Sequence, residues 1–331
     1  MKKRLEISNI KKNKKAQLEI SFPWLFAIIA GIFILVLAIY ISTKFIFIEQ
    51  TQIDTETAKY IGILLNPFEI GAESGISTPM TTPTESKIYI SCNENGNFGN
   101  QLISTSQKSF GWWSEQSVEV SFKNKYIFSE DDVEGKKFFL FIKPFNSPFK
   151  VGDIIILTSA SKNYCFVDSP DGIKIDIENL GQENMKLEPD CLPNSIKVCF
   201  NENGISNSNC EINVFYSEGG GYVEKDGDKL YFIGDSRNLG LVYGAIFSNK
   251  ELYECQVKRL MKRLNQLSVI YERKAVFISQ RGCTNNLAVD LQNLASSSSV
   301  LSDSYSLNQL IYPKSTEIEE KNENNVFCKL W

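Results

Sequence analysis

From Ile20 to Thr43 the chain carries 24 consecutive residues without a formal charge. As a helix they span roughly 36 Å at about 1.5 Å per residue, against a hydrocarbon core of about 30 Å. A cleavable secretory signal has an apolar region of only roughly 7–15 residues followed by a small-x-small site. This run is longer, and no clear site follows it. The bland alternative is a core helix of a soluble protein, but a helix apolar on every face needs lipid or a very large core around it. The pattern therefore predicts a transmembrane helix over 20–43. Phe22 and Trp24 fall at its entry and Tyr40 at its exit, where amphipathic rings favour the interface. Beyond it Ile46, Ile53, Ala58, Ile61, Leu64 and Leu65 recur at helical spacing up to the stop at Asn66-Pro67, predicting a stalk helix over 44–66.

The stretch 67–86 contains SGISTPMTTPTES, which lacks periodicity and reads as a linker. From 87 to 247 the pattern is β. SVEVSF (117–122) alternates as a half-buried strand does. KKFFLFIKPF (136–145) and DIIILTS (153–159) are fuller apolar runs, predicting strands covered on both faces. In YVEKDGDKLYF (222–232), Asp226-Gly227 suits the positive φ angles of a type I′ turn and predicts a hairpin. IKVCFNENGISNSNCEINVFY (196–216) reads as a second hairpin with a longer loop. At Ser248 the period changes. Ser248 and Glu251 form a capping-box pattern, and Leu252, Leu260, Leu264, Leu267, Tyr271 and Phe277 make the apolar stripe of a long helix ending near Gly282. NNLAVDLQNLASSSS predicts a shorter helix turning back, frayed by Ser296–Ser299. The fold class expected is α+β: an N-terminal transmembrane and stalk helix, a central mostly antiparallel β domain, and a C-terminal helical hairpin over 248–331.

Charge orients the first helix. Residues 1–19 form a basic tail with seven lysines and arginines against Glu6 and Glu19, while the whole chain carries −4. The positive-inside rule keeps this tail in the cytoplasm and sends the C-terminal body across the membrane. That body is acidic, which argues against nucleic acid as a partner. The chain has no histidine, which excludes His bases, His metal ligands and Ser-His-Asp catalysis. No Asn-x-Ser/Thr sequon occurs.

All eight cysteines (Cys92, Cys165, Cys191, Cys199, Cys210, Cys255, Cys283 and Cys328) follow the apolar helix, as disulfides of an extracytoplasmic domain would. With no Cys-x-x-Cys pair and no histidine, no metal is expected; buried reduced thiols are the other reading. Cys199 and Cys210 flank one loop, so a bridge between them is easy. Cys255 and Cys283 lie about 42 Å apart along one helix and cannot pair. If the chain returns antiparallel, Cys255–Cys328 is the pairing expected.

Other chemistry is weighed against a blander reading. Lys258, Arg259, Lys262 and Arg263 fall on the polar side of the long helix, as a solvated face or as a dock for an acidic partner. Ser-x-x-Lys occurs at Ser8/Lys11, Ser147/Lys150 and Ser159/Lys162, a frequency that chance supplies, without further β-lactamase-type motifs. Asp168, Asp171 and Gly172 lack the ligand spacing of a Ca²⁺ loop and read as a solvated turn. SEGGGYV (217–223) is Gly-rich but precedes a hairpin rather than a phosphate-binding helix. Trp112 and Trp113 are candidates for recognition of sugar or protein, or for packing, with one of the two in the core.

Lys15-Ala16-Gln17, followed by an apolar helix, resembles the leader junction of archaeal type IV pilin-like precursors. Gln17 and Leu25 are in register with that family's pattern, whereas Ser21 and Glu19 are exchanged relative to it. The resemblance implies a cleavage between Ala16 and Gln17. QLEISFPWLFAIIAGIFILVLAIY and ENNVFCKLW resemble uncharacterised single-pass membrane proteins of small uncultured archaea, which implies the topology and no activity. The expectation is a non-enzymatic protein of the cell envelope in the cell membrane, without cofactor. It is either a pilin-like structural subunit or a signal-anchored receptor or adhesin for glycan or protein. Its expected partners are membrane lipid and another protein or a second copy.

Overall fold

The protein was analysed as a computed structural model that describes residues 22–44, 77–109, 111–201, 204–217, 219–234, 238–283 and 285–331. The chain divides into two compact units, 1–50 and 51–331. The predicted stalk helix over 44–66, the Ala16-Gln17 junction and the Ser8/Lys11 pair lie outside the described residues. The fold is α+β: an N-terminal apolar helix, central mixed β sheets and C-terminal helices.

Helix α1 (Phe22–Lys44) is the described part of the first unit. Its Thr43 hydroxyl donates to the Tyr40 carbonyl at 2.9 Å, a partner within the helix.

The second unit holds two sheets. The first has the order β3 (Trp112–Trp113), β2 (Asn100–Ser109), β1 (Ser77–Asn93), β6 (Asp132–Asn146), β7 (Lys150–Ser159), β5 (Tyr126–Phe128), with β4 (Val120–Phe122) also on β2. Its pairs are antiparallel apart from β5 and β7. Both apolar runs behave as their composition requires. In β7, Ile154 and Ile156 join the main core while Ile155 and Leu157 join a second cluster on the opposite face. That second cluster is drawn from β1, β2, β5, β6 and β7 plus Leu252 alone, so the sheet curls and packs on itself. A register shift in β1 between Thr81 and Ser86 accompanies the curl.

Part of the expected linker is strand. Ser77–Thr81 pairs with Phe141–Lys137 of β6, while β2 joins β1 only from Ser86 onward. Pro79 is tolerated because its side of the strand is an open edge. In SVEVSF only Val120–Phe122 is strand, and Val118 is exposed.

The second sheet has the order β13 (Asp228–Ile233), β12 (Gly220–Lys225), β11 (Ile212–Ser217), β10 (Ile196–Asn201), β8 (Tyr164–Val167), β9 (Met185–Leu187). The Asp226-Gly227 hairpin is present: Lys225 pairs with Asp228, and φ is 52° at Asp226 and 82° at Gly227. The second expected hairpin is not. Strands β10 and β11 are parallel, with Val198 opposite Ile212, so the loop between them runs back along the strand instead of reversing it. Strands β8, β9 and β10 are parallel as well. An antiparallel pattern thus describes the first sheet, whereas the second is mixed.

Two helices interrupt the region read as β. Helix α2 (Asp171–Leu180) links β8 to β9 and buries Ile173, Ile177 and Leu180. Helix α3 (Gly240–Phe247) is buried at every residue. A short apolar run of this kind cannot be told from a strand by periodicity. Lys143 of β6 pairs with Asp176 of α2 at 2.6 Å, and Tyr243 of α3 donates to the same carboxylate at 3.3 Å. Burial, then the nearby Asp176 charge, holds the Tyr243 phenol well above its ordinary pKa.

The long helix is α4 (Lys250–Ser279), and its N-cap is Asn249 rather than Ser248. The Asn249 side chain accepts from the Leu252 amide at 2.8 Å. The cap falls one residue late, and the buried Ser248 hydroxyl makes no hydrogen bond among the described residues. Leu252, Leu260 and Leu264 are buried, while Phe277 is exposed, since it lies off the face by which Ala275 and Ile278 meet the core. Helix α5 (Leu287–Ser299) packs on α4, and Ser297 and Ser298 are buried rather than frayed. A π-helical turn (Leu307–Ile311) leads into α6 (Tyr312–Asn324), which the polar sequence did not announce. One apolar core joins the sheets to α2, α3, α4, α5 and α6. The Gly-rich segment SEGGGYV is explained by this packing. A Cβ on Gly219 would lie 1.9 Å from the Tyr312 ring, and one on Gly221 would lie 1.9 Å from the Phe215 carbonyl.

Lys225 carries a pH signature. Its ammonium donates to the Ile246 carbonyl at 2.8 Å in the last turn of α3. Desolvation pushes its pKa down to about 8, against the opposing pull of Glu130. Between pH 8 and the ordinary value of 10.5, the unfolded chain therefore holds a proton that the folded chain has released. Stability rises with pH through that window. Above about pH 10 the sign reverses, because burial raises the Tyr164, Tyr216, Tyr243 and Tyr253 phenols and only the unfolded chain ionises. Urea midpoints measured from pH 7 to 11 should rise above about pH 8 and peak near pH 10, and Lys225→Met should flatten the rising limb. An unchanged limb in that variant would refute the assignment.

Candidate functional site

Apart from Ala30, which is partly covered, every side chain of α1 is exposed, including Phe22 at 81%, Trp24 at 58% and Tyr40 at 62%. By length and composition this helix suits a membrane anchor or a targeting segment. In the second unit all eight cysteines are paired. The bridges are Cys92–Cys255, Cys165–Cys191, Cys199–Cys210 and Cys283–Cys328, with Cα separations of 6.1, 5.3, 6.0 and 5.6 Å. Four bridges point to an oxidising compartment. The Cys199–Cys210 expectation holds on a parallel crossover instead of a hairpin. The expected Cys255–Cys328 pairing does not hold. Cys255 lies in the first turns of α4, against the end of β1, whereas the chain's last segment returns to the other end of α4, beside Cys283.

The basic quartet of α4 is not a solvated face. Arg259 is fully buried, and its guanidinium lies 4.8 Å from the centre of the Tyr126 ring. It donates to the carbonyls of Phe98 (3.1 Å), Lys125 (2.7 Å), Lys123 (3.0 Å) and Phe122 (3.5 Å) and to Gln256 Oε1 (2.7 Å). Burial pushes its pKa down to about 10, which leaves it charged at neutral pH. Gln256 continues the network, donating to Gln101 Oε1 (2.5 Å) and to the Ile127 carbonyl (2.9 Å), while Gln101 accepts from the Ile127 amide (3.0 Å). Lys262 donates to the carbonyls of Glu94 and Gly96, and Lys258 pairs with Glu94 at 3.4 Å. Arg263 borders a small hollow with Tyr126, Lys150 and Asp153. These side chains close the seam between β2 and β5, where no strand pairing occurs. Gly99 is obligatory here: its φ is 60°, and a Cβ would lie 2.9 Å from Arg259 Cγ. The seam is a structural device, and the sequence missed it because a helical wheel cannot show what packs against the polar side.

The remaining candidates separate. Neither described Ser-Lys pair forms. Ser147 donates to Ser315 and Lys150 pairs with Asp153, while Ser159 donates to the Glu134 carbonyl and Lys162 pairs with Glu130. Trp112 is exposed, and Trp113 is half-buried with the Lys87 and Lys108 ammoniums 5.2 and 5.3 Å from its ring centre. Neither ring belongs to the core, and β3 is a two-residue strand at the edge of the sheet.

Asp168, Asp171 and Gly172 are not a simple turn. Asp168 has φ 51° at the exit of β8, and Asp171 and Gly172 open α2. Asp168 and Asp171, together with Ser169, Lys174 and the end of β10, line a cleft of about 740 Å³, to which Gly172 does not contribute. Its volume falls within the roughly 300–1,000 Å³ of small-ligand sites. Disulfides Cys165–Cys191 and Cys199–Cys210 fix the two strands that form it. Among the described residues, no group of three or more acidic or sulfur side chains is placed to hold a metal ion. No protein-family model, curated protein or solved structure matches this chain.

Proposed function

We propose that this protein is a single-pass membrane protein with a cytoplasmic N-terminus, whose disulfide-bonded domain lies outside the membrane and acts by binding. The carrying observation is the placement of four disulfides entirely C-terminal to one exposed apolar helix. A bridge set of this kind needs an oxidising compartment, and the basic tail before the helix favours the cytoplasmic side. The acidic, histidine-free body supports an interaction role over catalysis, and lipid and protein or self-contacts over nucleic acid. The resemblance to uncharacterised single-pass membrane proteins of small uncultured archaea supports the topology alone, and the Ala16-Gln17 junction keeps a pilin-like subunit as the structural form of this reading. The open cleft favours the receptor or adhesin form.

Protease added to intact cells expressing the full chain should degrade the domain, and alkaline carbonate should leave the protein in the membrane pellet. A protected domain, or release into the carbonate supernatant, would overturn the proposal. N-terminal sequencing then separates the two forms: a start at Gln17 marks prepilin-type processing, and retention of Lys2–Lys15 marks a plain anchor.

A further inference from the structure

The second sheet places its cleft where a ligand is expected on topological grounds. Strands β8 and β10 are parallel neighbours. The chain leaves β8 through α2 to reach β9 on one side, and β11, the strand that follows β10, lies on the other. Connections that part in opposite directions open a crevice outside the carboxyl ends of the two strands. The cleft lined by Asp168, Ser169, Asp171, Lys174, Asn201 and Ile205 is that crevice.

A second observation points to an occupant. Ser169 is 4% exposed, and its hydroxyl has no hydrogen-bond partner among the described residues. A buried hydroxyl left unpaired is costly, and native proteins rarely keep one without a use. Nearby, α2 has no side-chain cap at Pro170, and the first-turn amides of Asp171 and Gly172 have no intrahelical acceptor. Asn201 spends its Nδ2 on the Cys199 carbonyl (3.3 Å) and on Asn213 Oδ1 (2.9 Å), leaving Oδ1 as an acceptor.

The charge pattern selects the class of ligand. Lys174 pairs with Asp171 at 3.5 Å, so an anion would suit the helix N-terminus but would find that cation already matched and would meet Asp168. A cation would suit Asp168 but would meet the positive end of α2. A neutral polyhydroxyl molecule offends neither, because each hydroxyl both donates and accepts. The exposed Ile205 adds an apolar wall. We infer that the β8–β10 cleft binds a neutral saccharide. Carboxylates and Asn201 Oδ1 take hydroxyl donors, while the α2 amides and Ser169 serve hydroxyl oxygens. The inference deepens the receptor reading above but does not require it: the topology experiment can fail while the cleft still binds sugar, and the reverse.

The test uses the full chain in lipid nanodiscs, which avoids sugar-headed detergents. Neutral trisaccharides of glucose, galactose, mannose and N-acetylglucosamine are titrated by calorimetry and ligand-observed NMR. Inorganic phosphate and spermidine serve as anionic and cationic probes. At least one trisaccharide should bind saturably, with phosphate and spermidine silent. Asp168→Asn, which keeps a residue tolerant of the positive φ, should weaken binding about tenfold. Ser169→Ala should weaken it about fivefold while leaving the melting temperature of the unliganded protein equal or higher, since it deletes an unpaired buried hydroxyl. A purely structural serine would not give that combination. Absence of trisaccharide binding, binding of phosphate or spermidine instead, or variants that bind as tightly as the parent would each overturn the inference.

Discussion

Arg259→Ala is expected to lower the unfolding free energy by about 4 kcal/mol, the largest loss from any single side chain in the second unit. The side chain is fully buried and serves four carbonyls and one side-chain amide. Removing it strips those acceptors of their donors in a place that water reaches poorly, and each orphaned buried group costs about 1–3 kcal/mol. Some carbonyls will recover partners by relaxation, which is why the total stays well below the sum. With disulfides intact, the melting temperature should fall by about 10 °C for a unit of this size. Burying a charge is itself expensive, so an apolar replacement is the sharper control. Arg259→Met keeps much of the stem's packing but supplies no donor. If Met at this position is as stable as the parent, the carbonyl network contributes nothing net and the account of the seam is wrong.

Removal of the Cys92–Cys255 bridge by a Cys92→Ser, Cys255→Ser double variant is expected to cost about 4 kcal/mol. The bridge closes a loop of sequence separation 163, against 11 for Cys199–Cys210. Chain-entropy arithmetic gives about 5 kcal/mol for the long loop and about 3 for the short one; the bridges already nested within the long loop reduce its share. The bridge also fastens the start of α4 beside the Arg259 network, so the two losses should be coupled. A triple variant should lose less, or more, than the sum of its parts by at least about 0.5 kcal/mol. Chemical denaturation of the four bridge-deletion pairs would rank them. Should the Cys199–Cys210 pair prove the more damaging deletion, loop entropy is not what the long bridge contributes.

What could be read from the sequence was whatever had a strong local signal. The apolar helix needed only charge-free length, strands β6 and β7 only dense branched and aromatic runs, and the β12–β13 hairpin only Asp226-Gly227. The errors share a cause: the same local pattern fits two tertiary contexts. Ile173, Ile175 and Ile177 alternate like a strand, yet Ile173, Ile177 and Leu180 have the helical spacing that the structure uses, leaving Ile175 exposed. Parallel pairing of β10 and β11 left no trace in composition, since Cys199 and Cys210 can be bridged across either topology. Arg259 was placed on the polar side of α4 correctly, but whether that side meets water or a seam of carbonyls depends on strands more than 130 residues away. The cleft was legible only as a failed calcium loop. Its acids are real lining groups, and the topology that gives them a purpose lies in the order of strands.

In a chain held at its N-terminal end, mechanical load would enter the domain through β1. That strand pairs with β6 over Ser77–Thr81 and again over Ser86–Tyr89, so load directed along it would bear on each group of backbone bonds together. Beyond Cys92 further extension meets a covalent stop. At most the 16 residues from Ser77 to Cys92, roughly 55 Å of extended chain, can pay out under tension before the force passes into α4.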